Sequence, residues 1–139
     1  FNRLDHIESI EVKRPEGRYE EFLQLAKEAT PHIWGAGMLR TDRLEEISFT
    51  VEAEADEQFI VQRLEREKRC GTVRQLDAEH YRFSAAVYDA RELLPWIRTF
   101  IGRITVFSCS NEEIERIFFD DLEQTAAYYL QEVQADGEK

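Results

Sequence analysis

The chain has 139 residues and a mass of 16.4 kDa, which suits one main hydrophobic core and leaves little room for two. With 42% hydrophobic and 12% aromatic residues it can bury a real core, which excludes wholesale disorder. Eighteen Lys and Arg stand against 29 Asp and Glu, and the net charge of -11 argues against unaided binding to duplex nucleic acid. No apolar run approaches the ~20 residues of a membrane helix, and no basic-then-apolar leader is visible, so a soluble chain is expected. Cys70 and Cys109 lack CxxC spacing and the even cluster of a stapled secreted domain, so the cytoplasm is the expected compartment. Phe1, rather than methionine, leads straight into a strand-like pattern, and the sequence therefore reads as a piece of a longer polypeptide.

Residues Leu4 to Val12 alternate modestly with period two and predict a strand. After Pro15 and Gly17, residues Tyr19 to Ala29 carry Phe22, Leu23 and Ala26 at helical spacing and predict a short helix. Thr30 to Arg43, with Pro31, Gly35, Gly37 and the exposed-looking Trp34 and Met38, follows neither period and reads as a linker at a domain boundary. Beyond it Ile47, Phe49, Val51, Ala53 and Ala55 alternate with Ser48, Thr50, Glu52 and Glu54, the clearest strand pattern in the chain. Asp56 is placed to cap a helix whose apolar face would be Phe59, Ile60 and Leu64 and which Gly71 would end. Thr72 to Leu76 and Tyr81 to Tyr88 then predict a hairpin, with Tyr81, Phe83, Ala85 and Val87 on its dry face.

Asp89 and Glu92 have capping-box spacing, but Pro95 cannot sit deep inside a helix, so a regular helix is expected to start near Leu94. Its buried side would be Trp96, Ile97, Phe100 and Ile101, and Gly102 would supply the left-handed stop. A last strand is predicted over Ile104 to Cys109. Ser110 and Glu113 suggest a second capping box, opening a long amphipathic helix through Ile114, Ile117, Phe118, Leu122, Thr125, Ala126, Tyr129 and Val133. From Leu44 the order is strand, helix, strand, strand, helix, strand and an extra helix. That order predicts an α+β class, a ferredoxin-like βαββαβ domain with an added C-terminal helix, preceded by a strand and short helix from an upstream domain. Both crossover helices would cover one sheet face, and the other would need a partner: the last helix, the upstream strand or a second subunit.

Two segments resemble bacterial WYL-domain transcription regulators. Phe1-Asn2-Arg3-Leu4-Asp5-His6-Ile7 is similar to the closing strand of a WYL domain, with Arg3 at the first family arginine and His6 where the family more often has a second. Glu92-Leu93-Leu94-Pro95-Trp96-Ile97-Arg98-Thr99-Phe100, with Gly102 and Val106, resembles the helix-to-strand signature of the C-terminal extension, WCX, that follows WYL domains. The Trp-Tyr-Leu tripeptide is absent, and Arg66 to Gln75 lacks the Trp-His element common in the extension. The resemblance implies that residues 1–29 are the end of a WYL (Sm-like) domain, 30–43 a linker and 44–139 the extension. It also implies a winged helix upstream that binds DNA, with this region sensing a ligand and mediating dimerisation.

Arg63, Arg66, Lys68, Arg69 and Arg74 outnumber Glu65 and Glu67 and form the one basic patch. Such forks suit a nucleotide, an oligonucleotide or a small anionic effector, and Arg3 and His6 join them as candidate ligand residues; a solvated helix end is the plainer reading of the patch. Trp34, Phe119 and Tyr128 are candidate interface residues in a homodimer. His6, His32 and His80 have no ligand spacing, so no metal is expected, and no nucleotide loop or GxSxG elbow points to a cofactor or to serine catalysis. The expectation is a non-catalytic sensing and dimerisation region of a transcription regulator. The alternatives are a ferredoxin-like small-molecule-binding module of a metabolic enzyme and, more remotely, a small acid-base enzyme.

Overall fold

Residues 17–35 and 43–136, with Ser9 and Glu11, are described by the computed structural model, side chains as far as Leu130. Apart from Ser9 and Glu11, the strand expected over Leu4–Val12 lies outside the described residues, as do the candidates Arg3 and His6 and positions 36–42. Helix α1 (Tyr19–Ala29) spans the predicted residues, yet Tyr19, Phe22 and Leu25 are all more than half exposed and only Ala29 is buried.

Alternation makes Glu45–Glu52 the first strand, β1, whose Ile47, Phe49 and Val51 are buried together. Helix α2 (Gln58–Glu67) follows, with Glu57 rather than Asp56 at the N-cap position. Only Ile60 and Leu64 of its expected apolar face are buried; Phe59 is 58% exposed, because a neighbour one residue away points ~100° off around the helix. The helix already ends at Lys68, which is extended, so Gly71 opens the next strand instead of capping the helix. At a φ of 79°, and with a would-be Cβ 2.6 Å from the Ser84 carbonyl oxygen, that position admits only glycine comfortably.

Strands β2 (Thr72–Gln75) and β3 (His80–Val87) form the predicted hairpin. Asp89 accepts from the Arg91 N–H at 3.0 Å and starts a 3-10 turn, Ala90–Leu93, which leads into the single α-turn α3 (Leu94–Ile97) and a second 3-10 turn, Arg98–Phe100. Pro95 thus falls in a first helical turn, where its missing N–H costs nothing. Ile101, expected inside, is 41% exposed because the backbone has turned extended there. Strand β4 (Ile104–Cys109) follows Gly102, whose φ is 91°.

Helix α4 (Glu112–Asp136) is capped by Asn111, whose side-chain oxygen accepts from the Glu113 N–H at 3.1 Å. Ser110, the expected cap, instead accepts from the Glu46 N–H at 2.9 Å and ties the turn to β1. Ile114 and Phe118 are buried, whereas Tyr128, Tyr129 and Leu130 are each more than 60% exposed.

All strands pair antiparallel in the order β2-β3-β1-β4, the ferredoxin-like βαββαβ arrangement with an added C-terminal helix. Phe49 lies opposite both Phe83 and Phe107, so the three rings share one sheet face. Ile60 and Leu64 of α2, Leu94 and Ile97 of α3 and Ile114 of α4 join them in one core cluster. Phe118 stacks on Phe107 with centroids 4.0 Å apart. The last helix therefore packs on the same side as the other two and does not cover the opposite face.

Residues 30–35, expected to begin a linker, are fastened to the domain. The His32 ring Nδ1 lies 2.8 Å from the Ala86 carbonyl, which can only accept, so that nitrogen carries the proton. The Tyr88 N–H donates back to the His32 carbonyl. These bonds fall on the edge of β3 beyond the end of the shorter β2. Arg69 donates to the Trp34 carbonyl at 3.0 Å, and the Glu92 carboxylate accepts from the Gly35 N–H at 2.9 Å. Trp34 itself is 6% exposed, set against Phe83 and Trp96, and is a core residue of this chain rather than an exposed interface anchor. Trp34→Ala is expected to lower stability by about 3–5 kcal/mol in urea or thermal unfolding, the cost of emptying a large core site; a true linker residue would shift it by under about 0.5 kcal/mol.

Candidate functional site

The face left open by the helices is set by the same alternation that builds the core. Glu46, Ser48, Thr50 and Glu52 of β1 point away from the aromatics. Pairing brings Ser84 opposite both Ser48 and Thr72, and Ser48 opposite Ser108, so four hydroxyl side chains line up across all four strands. One row along, Arg74 lies directly opposite Arg82, and Arg82 opposite Thr50. This face is polar, and the partner that a dry face would demand is not required to keep it in water.

Small side chains leave a groove of about 490 Å³ on this face, lined by Glu46, Ser48, Ser84, Ala86, Ser108 and Ser110 among others. Thr50 is 2% exposed, and its Oγ1 accepts from Arg82 Nε at 3.3 Å, which holds the stem of that arginine against the sheet. Neither Arg74 nor Arg82 lies within ion-pair distance of a carboxylate among the described residues.

The basic patch read from the sequence does not converge. Arg63 bonds Glu67 at 3.1 Å and the Thr99 hydroxyl at 2.7 Å, and its guanidinium lies 4.6 Å from the Phe100 ring centroid. Arg66 reaches Glu67 at 3.3 Å and Lys68 reaches Glu65 at 2.5 Å. Arg69 is occupied by the Trp34 carbonyl. These four serve the helix side of the sheet, while Arg74 stands on the open side. Arg82 and the hydroxyl row went unnoticed in the sequence because polar positions of an alternating strand read as plain solvated residues; only the register of β2 on β3 shows that Arg74 and Arg82 meet.

Phe119 is 45% exposed and edge-on to Phe107 and Phe118; Tyr128, at 65%, stands clear of the sheet on the far part of α4. Both are accessible, as an interface requires. Among the described residues no group of three His, Cys, Asp or Glu side chains is placed to hold a metal ion, and no helix is long and apolar enough to cross a membrane. Burial pushes both free thiols, Cys70 and Cys109, above the ordinary cysteine range.

Comparison of the chain with protein-family models, curated proteins and solved structures finds no match.

Glu67 is the carboxylate on which the helix side of the domain converges. Burial pushes its pKa up, but bonds from Arg63, the Trp96 indole N–H at 3.1 Å and Arg66 outweigh this, so it lies below the usual range. A carboxyl lowered on folding stabilises the fold above its unfolded value, about 4.3, and this contribution fades as pH falls through the folded value. Urea midpoints measured from neutral pH down to strong acid should therefore fall less steeply in Glu67→Gln than in the parent chain, with the parent more stable at neutral pH.

Proposed function

We propose that this chain is a non-catalytic dimerisation and effector-sensing region of a bacterial transcription regulator of the WYL type, working in the cytoplasm with a winged helix elsewhere in the polypeptide reading DNA. The ferredoxin-like order with a trailing helix, together with the resemblance over residues 92–106, supports that reading.

The observation that carries it is the outer part of α4. At 25 residues the helix is about 37 Å long, far longer than the six-residue strand β4 it packs against. From Gln124 to Leu130 it bears no charge, in a chain where 34% of residues are charged, and it presents Tyr128, Tyr129 and Leu130 to solvent. A second copy with the same net charge of -11 is repelled by most of the surface, but not along this stretch, and tyrosine is enriched where such surfaces meet.

The groove on the open sheet face favours the second reading, a small-molecule module of a metabolic enzyme whose sheets pair face to face. Sedimentation equilibrium separates the two. The α4 reading expects a dimer that Tyr129→Glu dissociates by at least about tenfold in Kd while Ser48→Glu leaves it intact. The reverse pattern favours paired sheets, and a parent chain that stays monomeric rejects dimerisation.

A further inference from the structure

We propose that Arg74 and Arg82 grip the phosphate of a small phosphorylated polyol whose hydroxylated remainder lies along the adjoining groove of the open sheet face. The proposal supplies the effector class for the sensing function above and rests on that reading for its regulatory meaning, though not for the binding itself.

Two like charges directly opposite each other on neighbouring strands repel, and folded chains commonly relieve such a pair with a carboxylate. Acids are plentiful here, 29 against 18 bases, and elsewhere Arg63, Arg91, Arg98 and Arg103 each find one. Arg74 and Arg82 do not; Arg43, Arg69 and Arg116 also lack one among the described residues, but Arg74 and Arg82 alone face each other across paired strands. The bond from Arg82 Nε to Thr50 Oγ1 uses one donor and leaves the terminal guanidinium nitrogens without a partner among the described residues. Two adjacent guanidinium forks with open donors match the oxygens of a phosphate, which also removes their repulsion.

What lies beside the forks specifies the rest of the ligand. The next row is Thr72, Ser84, Ser48 and Ser108, hydroxyls that both donate and accept and so suit a polyol. The groove they border, about 490 Å³, is of small-molecule size. None of its lining residues is aromatic, so it offers no platform on which a nucleobase would stack. Glu46 closes the far end, about 13 Å along β1 from the arginine row; its carboxylate accepts from hydroxyls and repels a second phosphate, which fixes the ligand's direction.

Calorimetric titration of the 139-residue chain with ribose 5-phosphate, ribose and inorganic phosphate tests the assignment. Ribose 5-phosphate is expected to bind at least about tenfold more tightly than inorganic phosphate, with ribose alone giving no measurable heat. The double variant Arg74→Gln/Arg82→Gln should lose at least about tenfold in affinity for ribose 5-phosphate while unfolding at the same or a higher temperature, because a repulsive pair has been removed. Ser48→Leu, which fills the groove, should weaken ribose 5-phosphate and leave inorganic phosphate unaffected. An unchanged titration in the double variant, equal affinity for the two phosphates, or no heat from any probe overturns the proposal. The sedimentation result is independent of all three, so the site and the dimer can fail separately.

Discussion

The indole of Trp96 has ring centroids of Trp34, Phe49, Phe83 and Phe100 at 4.7, 5.6, 5.1 and 5.4 Å, and its N–H is satisfied by Glu67. Those partners come from the segment before β1, from both central strands, from the turn after α3 and from the end of α2. Each favourable ring pair adds about 0.5–1.5 kcal/mol beyond area burial, so one side chain of a single helical turn fastens five parts of the chain. A four-residue helix has no stability of its own, and α3 exists because this cluster holds it.

With the aromatics gathered on one side, the other side of the same strands is free to carry different chemistry. Rings fill the helix face at Phe49, Phe83 and Phe107, and alternation then commits Ser48, Ser84 and Ser108 to the open face. The small hydroxyls create the depression, and the packed face behind them keeps it from collapsing. A cross-strand arginine pair costs a few tenths to one kcal/mol, a penalty that the core opposite can carry. Among the described residues nothing comparable holds the outer part of α4, where Tyr128, Tyr129 and Leu130 are exposed and belong to no core cluster.

Much of the fold was legible because period-two alternation is unambiguous in β1 and β3, and Pro95 confines the start of α3 to within a turn of itself. Trp34 escaped because a single anchor in an aperiodic stretch has no period to betray it; proline and glycine nearby suggested a linker, while burial depended on Phe83 and Trp96, far along the sequence. Phe59 was misplaced because the buried face of α2 is shared by Ile60, Val61 and Leu64, and at ~100° per residue Phe59 falls on the opposite flank. Ser110 and Asn111 are chemically equivalent caps, and the demand of the Glu46 N–H decides between them. The basic patch looked continuous along the chain, yet α2 and β2 deliver its members to opposite sides of the sheet. A site made by strand register is invisible until the register is known.

The segment at 30–35 joins these features mechanically. His32 holds the carbonyl of Ala86, and Ala86 lines the groove; Trp34 reaches Phe83, which precedes the groove residue Ser84 on the same strand. Helix α1 is therefore attached to the strand that would receive a ligand through the two hydrogen bonds of His32 and one core ring. A ligand can shift an arrangement only by binding its states unequally. On the proposed function, a molecule seated in the groove would lie against the strand whose Ala86 carbonyl His32 holds and whose Phe83 packs on Trp34, so its differential binding would have to act on those two contacts.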